Sequence, residues 1–273
     1  MRWTPGGIST DIVDRRGGGG GFGFGRGPTI GCGGAILLLV LSLLTGRNFF
    51  ALFDGSGGVQ QAPVDSTAPV QQTPEEAKMV EFVSFVLDDA QNTWTRIFEE
   101  QGSQYRRAKL VLFRDLTQTQ CGRGQAASGP FYCPPDERVY IDLSFFDELD
   151  RRFGAPGDFA QAYVLAHEIG HHVQNITGVS RPRSNEDSVR LELQADCYAG
   201  VWGHSTAQRN ILEPGEVSEG LAAAAAVGDD RLQKMSGRGV NPESFTHGSS
   251  EQRQEWFERG FRSGRIADCD TFR

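Results

Sequence analysis

The chain lacks an excess of positive charge, and it shows no internal repeat. Lys and Arg together number 27 against 35 Asp and Glu, so the formal net charge is −8 at pH 7. The acidic excess lies after residue 53, because residues 1–53 carry five Arg and only two Asp. Binding to nucleic acid depends on basic surface that neutralises phosphates. We therefore expect no nucleic-acid partner.

Cysteine is scarce, with five residues in 273, and no pair has the C-x-x-C spacing of a thiolate metal site. Four cysteines remain apart from Cys32, and they allow three pairings. We favour a disulfide between Cys121 and Cys133, which closes a short Gly-rich loop. We favour a second between Cys197 and Cys269, which attaches the C-terminal tail to a predicted helix. Four free thiols are the alternative. Disulfides are expected outside the cytoplasm, so these two bonds would place this part of the chain there.

Long apolar runs are absent except for one. Residues 27–46 carry no charge, and residues 35–44 are almost entirely apolar. A helix of about 20 residues reaches about 30 Å, the thickness of the hydrocarbon layer. The run therefore predicts one transmembrane helix within residues 29–53. A cleaved signal peptide is the alternative, but no Ala-x-Ala cleavage site follows.

The charges beside this run predict its orientation. Four Arg precede it, and only Arg47 follows closely. By the positive-inside rule the N-terminus stays in the cytoplasm and the rest of the chain lies outside. We expect a single-pass protein of the cytoplasmic membrane, with the lipid bilayer as a partner through one span.

The flanking segments differ in composition from the rest of the chain. Residues 1–28 include a Gly-rich tract that cannot bury enough apolar surface, and we expect them to be a disordered cytoplasmic segment. Residues 54–74 are rich in Gly, Gln, Ser, Thr and Pro and predict a flexible linker. Residues 75–273 are long enough for one domain.

Within this domain the patterns predict an α+β fold that is predominantly helical, with a small sheet. Thr73 is a plausible N-cap for a helix that has Pro74 at its first position. Apolar residues at helical spacing continue from Val80 to Phe98. The run from Tyr105 to Phe113 ends in Lys-Leu-Val-Leu-Phe, which predicts a strand, and residues 131–143 predict a turn that leads into a second strand.

The most informative motif is H-E-x-x-H at residues 167–171. Four residues turn an α-helix by about 400°, so His167 and His171 project from one face about one turn apart. Two imidazoles in this arrangement suit one zinc ion, and Glu168 can reach a water molecule that the metal activates. Apolar residues from Phe159 to Val173 recur at helical spacing and support the helix. The motif predicts metal-assisted hydrolysis of a peptide bond.

A catalytic zinc usually has three protein ligands, and the third is expected downstream. Glu192 and Asp196 lie one turn apart on a predicted helix, so their carboxylates share a face. We predict that Glu192 binds zinc and that Asp196 accepts the second ring N–H of a ligand histidine. A solvated acidic helix face is the alternative.

Other polar residues are weaker candidates. His247 lies in a predicted loop and could stabilise the oxyanion of a tetrahedral intermediate, or it could be a structural loop histidine. Tyr163 and Tyr198 are further candidates for that role. His172 points away from His171 and is interpreted as a residue that either supports a metal ligand or packs in the core.

Four segments of the chain, at residues 167–178, 192–204, 228–233 and 244–261, resemble the bacterial "putative neutral zinc metallopeptidase" family of membrane-anchored proteins. The resemblance implies a zincin-like domain of the gluzincin type, with Glu168 catalytic and one zinc ion on His167, His171 and Glu192. In gluzincins a sheet-edge strand precedes the metal helix and binds extended substrate. The residues that we predict for this substrate-binding edge are Val139, Tyr140 and Ile141. An ordinary half-buried strand is the alternative, and the two interpretations do not exclude each other.

The sequence thus predicts a membrane-anchored bacterial zinc metalloendopeptidase with peptide or protein substrates. The alternative is a non-catalytic module that uses structural zinc and binds or chaperones an envelope partner. A third possibility is an enzyme that stays latent until a partner uncovers its cleft.

Overall fold

Helices dominate the chain, and a small sheet lies among them. The computed structural model describes residues 1–17, 70–126, 129–155, 157–179, 182–237 and 239–272. The strands within these ranges are β1 (Ile12–Asp14), β2 (Lys109–Phe113), β3 (Leu116–Thr119), β4 (Gly122–Gln125), β5 (Phe131–Cys133) and β6 (Arg138–Asp142). The helices are α1 (Pro74–Glu100), α2 (Ser144–Arg151), α3 (Asp158–Ile176), α4 (Asn185–Gln208), α5 (Glu216–Ala226), α6 (Asp229–Met235) and α7 (Ser250–Ser263). The predicted α+β class, mostly helical with a small sheet, is confirmed.

The main sheet has the strand order β1-β2-β6-β5. Strands β1, β2 and β6 are parallel, and β5 runs antiparallel to β6. The pairing of Leu110 with Val139 and of Leu112 with Ile141 places buried apolar residues side by side. Strands β3 and β4 form a separate antiparallel pair. Strand β6 therefore lies inside the sheet, and β5 is the edge strand next to it.

The N-terminal segment belongs to the domain. Residues 12–14 pair with β2, the ring of Trp3 packs 5.4 Å from that of Phe82 on α1, and Asp11 forms an ion pair of 2.7 Å with Lys109. The expected disorder is therefore wrong for residues 1–17, and residues 18–28 lie outside the described residues. Apolar packing and ion pairs offset the cost in chain entropy of ordering these residues, nearly all of which precede the Gly-rich tract.

This pairing also bears on the expected topology. Hydrogen-bonded strands lie on one side of any membrane, so β1 and the domain share a side. The expectation that the N-terminal segment is cytoplasmic while the domain lies outside is not compatible with the β1–β2 pairing. The predicted span at residues 29–53, and the linker up to residue 69, lie outside the described residues. Among the described residues we find no helix that has the length and the apolar composition of a membrane span.

Helix α1 begins as predicted, because the Thr73 side chain accepts a hydrogen bond from the backbone N–H of Glu76 and Pro74 is the first helical residue. Strands β2 and β6 also lie where the sequence places them. Helix α3 lies against β5 and β6 and packs on α1, α4 and α5. The centre of the domain is therefore the helix that carries the H-E-x-x-H motif.

Close helix packing depends on glycine at several positions, and two of them lie on α3 and α7. A Cβ atom on Gly170 of α3 would lie 2.9 Å from the backbone oxygen of Ala195 on α4, and one on Gly260 of α7 would overlap the backbone of Cys197. Both predicted disulfides, Cys121–Cys133 and Cys197–Cys269, are present. The second joins α4 to the turn that follows α7.

Candidate metal centre

Helix α3 positions the first three residues of the site. It begins after Gly157, whose positive φ of 113° ends the preceding loop. The helix is buried along most of its length, including Ala166, Ile169 and Val173, so its rotation about its own axis is fixed by packing. His167 and Glu168 are buried as well. The histidine-bearing face is therefore held toward α4.

Helix α4 supplies the carboxylate. The Nε2 atom of His167 lies 3.2 Å from Oε2 of Glu192, and Nε2 of His171 lies 3.4 Å from Oε1. The three ligand atoms lie within 4.8 Å of one another. Zinc held at about 2.1 Å by tetrahedral ligands needs ligand atoms roughly 3.4 Å apart. The donor set and its spacing therefore fit one zinc ion, as the sequence predicts for these residues.

The Nδ1 atom of each histidine has a partner that leaves Nε2 to the metal. Nδ1 of His167 lies 2.8 Å from Oδ1 of Asp196, and Nδ1 of His171 lies 2.8 Å from Oε1 of Gln174. Asp196 is fully buried and also accepts a hydrogen bond from the Tyr163 hydroxyl. The predicted hydrogen bond between Asp196 and a candidate ligand histidine is thus present. The Tyr163 hydroxyl is also hydrogen-bonded to Asp196.

The charged groups of the site shift the pKa values of the residues that could bind a metal ion. Burial alone would lower the pKa of His167, but Asp196 and Glu192 outweigh burial and raise this pKa to about 10. Burial likewise opposes ionisation of Glu192, yet His171 and His167 hold the pKa of its carboxyl well below the usual value. A metal ion bound through Nε2 of these histidines would displace protons from them.

Sequence reasoning missed Arg253, which approaches the site from α7. Its Nε and Nη2 atoms donate to the two carboxylate oxygens of Asp196 at 2.8 and 2.9 Å. The Arg253 side chain is only 4% exposed, and it also lies 3.8 Å from Glu192. A buried guanidinium thus balances the negative charge of two neighbouring carboxylates. No local sequence pattern marks it, because its partners lie on another helix.

Glu168 faces the same space as the histidines. Burial raises the pKa of the Glu168 carboxyl above its ordinary value, and the nearby His171 and His167 oppose this shift. A raised pKa moves a carboxylate toward the range in which it exchanges protons near neutral pH. The carboxylate of Glu168 thus lies beside the two histidines that could hold a metal ion.

A cleft of about 750 Å³ opens over these residues. Its walls are mostly apolar, and they include Phe131, Phe145, Phe153, Val164 and Leu232. The residues that line the cleft include β5, the two residues just before it, and Leu191 and Glu192 of α4. The site is therefore open to a ligand larger than water.

The predicted substrate-binding edge requires correction. Val139, Tyr140 and Ile141 lie in β6, which is buried and paired with strands on both sides. They have no backbone edge to offer to a peptide. The edge of the sheet that lines the cleft is β5, with Phe131 and Tyr132. The error arose because the sequence shows where strands are but does not give their order.

His247 also lines the cleft. Its Nδ1 atom lies 3.2 Å from Oδ1 of Asp229, while Oδ2 of Asp229 accepts backbone hydrogen bonds from Thr246, His247 and Gly248. The hydrogen bond that the His247 ring donates to the Asp229 carboxylate raises the pKa of His247, although burial opposes this shift. Asp229 thus fixes both the loop and the imidazole.

The remaining histidines and Tyr198 have structural roles. Nδ1 of His172 lies 3.0 Å from the Tyr132 hydroxyl, which ties α3 to β5. Nδ1 of His204 donates to the backbone oxygen of Phe261 at 2.7 Å. The ring of Tyr198 packs 5.4 Å from that of Trp94 in the core. None of these three residues is among those that line the cleft.

Comparison with known proteins agrees with this centre. The model of the family described as "Putative neutral zinc metallopeptidase" matches residues 1–272. The chain belongs to this family. It is 46% identical over 293 aligned residues to the uncharacterized protein YpfJ of Escherichia coli K12, covering 100% of this chain and 99% of that protein. An uncharacterized protein of Mycobacterium bovis is 40% identical over 242 residues, covering 80% of this chain and 83% of its own.

No solved structure matches the chain, so the zincin-like assignment stays a prediction. Family membership implies zinc as the metal and peptides or proteins as substrates. The three-ligand cluster found among the described residues agrees with a zinc centre.

Proposed function

We propose that this protein is a zinc-dependent endopeptidase whose general base is Glu168. The observation that carries the proposal is the grouping of three ligand atoms, from His167, His171 and Glu192, beside the buried carboxylate of Glu168 in one open cleft. A purely structural zinc site is closed by four protein ligands and needs no base. One zinc ion per chain fits this donor set.

In the proposed reaction the chain's own residues handle the protons. Glu168 takes a proton from the attacking water and passes it to the leaving amine. Zinc, when bound, polarises the scissile carbonyl and acidifies water. His247, held through Nδ1 by Asp229, donates from Nε2 to the oxyanion. Arg253 keeps Asp196 ionised and aimed at His167.

The cleft supports an extended peptide as substrate. Strand β5 is an edge strand of a sheet, and a peptide can add to such an edge through main-chain hydrogen bonds. Tyr132 of β5 is bonded to His172 of α3, so this edge keeps a fixed position relative to the metal helix. The apolar walls at Phe145, Phe153 and Leu232 favour a large apolar side chain beside the scissile bond.

We further infer that the domain works outside the cytoplasm, at the bacterial cytoplasmic membrane. Two disulfides support an oxidising compartment. The apolar run at residues 35–44 supports contact with a bilayer. In this proposal the N-terminal segment lies on the same side as the domain, because β1 pairs with β2.

The test of the proposed chemistry compares the wild-type protein with Glu168→Gln. The variant should bind one zinc ion per chain and lose at least roughly a thousandfold in turnover, since it keeps the ligands but loses the base. Glu186→Gln, at a 74% exposed side chain of α4, is the matched control and should keep full activity. Wild-type turnover in Glu168→Gln would refute the mechanism. If the wild type and both variants all bind zinc but none of them cleaves peptides, the result would favour the non-catalytic zinc module.

A further inference from the structure

We propose that Gln174 and Gln194 form a directed hydrogen-bond relay that holds His171 in its metal-binding form. The relay ends on the backbone carbonyl of Cys269, beside the disulfide to Cys197. The inference rests on the metal centre of the proposed function. It does not depend on the protein being a peptidase.

The relay is a continuous series of short contacts. The Nδ1 atom of His171 lies 2.8 Å from Oε1 of Gln174. The Nε2 atom of Gln174 lies 2.7 Å from the backbone oxygen of Leu191 and 3.1 Å from Oε1 of Gln194. The Nε2 atom of Gln194 in turn lies 3.0 Å from the backbone oxygen of Cys269. Both glutamine side chains are buried.

The two backbone carbonyls fix the direction of every bond. A carbonyl oxygen can only accept, so the group of Gln174 that faces Leu191 must be its NH₂ group. The oxygen of Gln174 then faces His171, and an oxygen can only accept. Nδ1 of His171 must therefore carry the hydrogen, which leaves the lone pair of Nε2 for a metal.

A glutamine needs this anchoring, whereas the partner of His167 does not. Asp196 is a carboxylate, and both of its oxygens accept in either orientation. If the side-chain amide of Gln174 rotated by 180°, its NH₂ group would face Nδ1 of His171. That arrangement would favour the opposite tautomer of the histidine. The contacts with Leu191 and Gln194 prevent this rotation. After it, the side-chain oxygen of Gln174 would face the backbone oxygen of Leu191 and Oε1 of Gln194, and neither can donate a hydrogen bond.

The far end of the relay is fixed by covalent structure. Cys269 is bonded to Cys197 on α4. The Thr271 hydroxyl donates to the backbone oxygen of Arg190 at 2.7 Å, which holds the residues after Cys269 against the same helix. The C-terminal residues thereby contribute to the orientation of a metal ligand on α3.

The experiment measures zinc affinity in the full-length protein by competition with a chromophoric chelator. Gln174→Leu and Gln194→Leu break the relay at its first and second steps. Gln91→Leu is the matched control, because Gln91 is fully buried and bonds to Asp11 and Ala108 instead. Thermal unfolding of each zinc-free variant is recorded alongside.

Gln174→Leu should weaken zinc binding roughly 10- to 100-fold, the usual effect of losing the partner of a metal-bound histidine. Gln194→Leu should weaken it roughly threefold to tenfold, since the residue acts one step further away. Gln91→Leu should lower the Tm and leave the affinity unchanged. Gln174→Glu keeps an acceptor for His171 and should retain affinity close to wild type, although its carboxylate faces two other acceptors and lowers the Tm.

Two results would overturn the relay. One is unchanged affinity in a folded Gln194→Leu protein. The other is a loss of affinity in all variants, Gln91→Leu included, that simply follows the loss of Tm. Failure of the wild-type protein to bind zinc would instead refute the metal centre of the proposed function. The two failures are therefore distinguishable.

Discussion

The guanidinium of Arg253 holds the carboxylate of Asp196 through two hydrogen bonds, from Nε to Oδ2 at 2.8 Å and from Nη2 to Oδ1 at 2.9 Å. Both side chains are buried, and Asp196 is bonded in turn to His167. The pair joins α7 to the metal helix through α4. Removing one member of such a pair leaves the other charge buried without its partner.

Arg253→Met should therefore destabilise the protein by about 3 kcal/mol or more, the usual cost of breaking a buried pair on one side. Equilibrium unfolding in urea measures the change. Arg262→Met is the control, because Arg262 is 71% exposed on the same helix and its surface ion pair should contribute about 1 kcal/mol at most. Equal effects of the two substitutions would contradict the role of Arg253.

The pairing of His247 with Asp229 predicts a pH dependence. The hydrogen bond that His247 donates to Asp229 raises the pKa of His247 above its ordinary value of 6.5, so the folded state binds this proton more tightly than the unfolded state. The contribution of the pair to stability is therefore complete below about pH 6.5 and is lost as pH rises through the folded-state pKa.

Asp229→Asn should lower the pKa of His247, as followed by NMR titration of its ring protons. If His247 acts as a protonated donor in the reaction, the alkaline limb of kcat/KM should move to lower pH by the same amount. A titration curve of His247 that is identical in wild type and variant would contradict the assignment of Asp229 as its partner.

The two disulfides should differ in their effect on stability. Cys197 and Cys269 are 72 residues apart, and Cys121 and Cys133 are 12 apart. Chain-entropy estimates give about 4 kcal/mol for the longer loop and about 3 kcal/mol for the shorter one. Urea unfolding of the two double Cys→Ala variants checks the order. Only loss of the Cys197–Cys269 bond should also weaken zinc binding.

The position of the N-terminal segment predicts a labelling pattern in cells. Ile8 is 55% exposed, and the Glu186 side chain is exposed on α4. Because β1 pairs with β2, Ile8→Cys and Glu186→Cys should react with a membrane-impermeant maleimide from the same side of the membrane. Labelling of the two positions from opposite sides would show that β1 is not part of the domain in the cell.

The parts of the site that could be predicted from the sequence are those with local geometry. The spacing of His167 and His171, and that of Glu192 and Asp196, is one helical turn, so each pair shares a face whatever the rest of the fold does. The disulfide pairing was also predicted correctly, because one pair closes a short loop and only two cysteines then remain for the second bond.

The parts that were missed depend on long-range packing. Arg253 lies 57 residues after Asp196 in the chain, and only the packing of α7 on α4 brings the two together. The edge position of β5 depends on strand order, which alternating apolar residues do not reveal. The strand at residues 12–14 is only three residues long, and its partner β2 lies about a hundred residues away.

The most direct measurement is cleavage of a diverse peptide mixture in H₂¹⁸O, read by mass spectrometry, with the zinc-loaded full-length protein and its Glu168→Gln variant. The full chain is needed because residues 12–14 form part of the sheet. The proposed mechanism predicts cuts made only by the wild type, each with ¹⁸O in the new carboxylate and with large apolar residues beside the scissile bond. An identical set of cuts from the variant, or no cuts from a wild-type protein that holds one zinc ion, would contradict it.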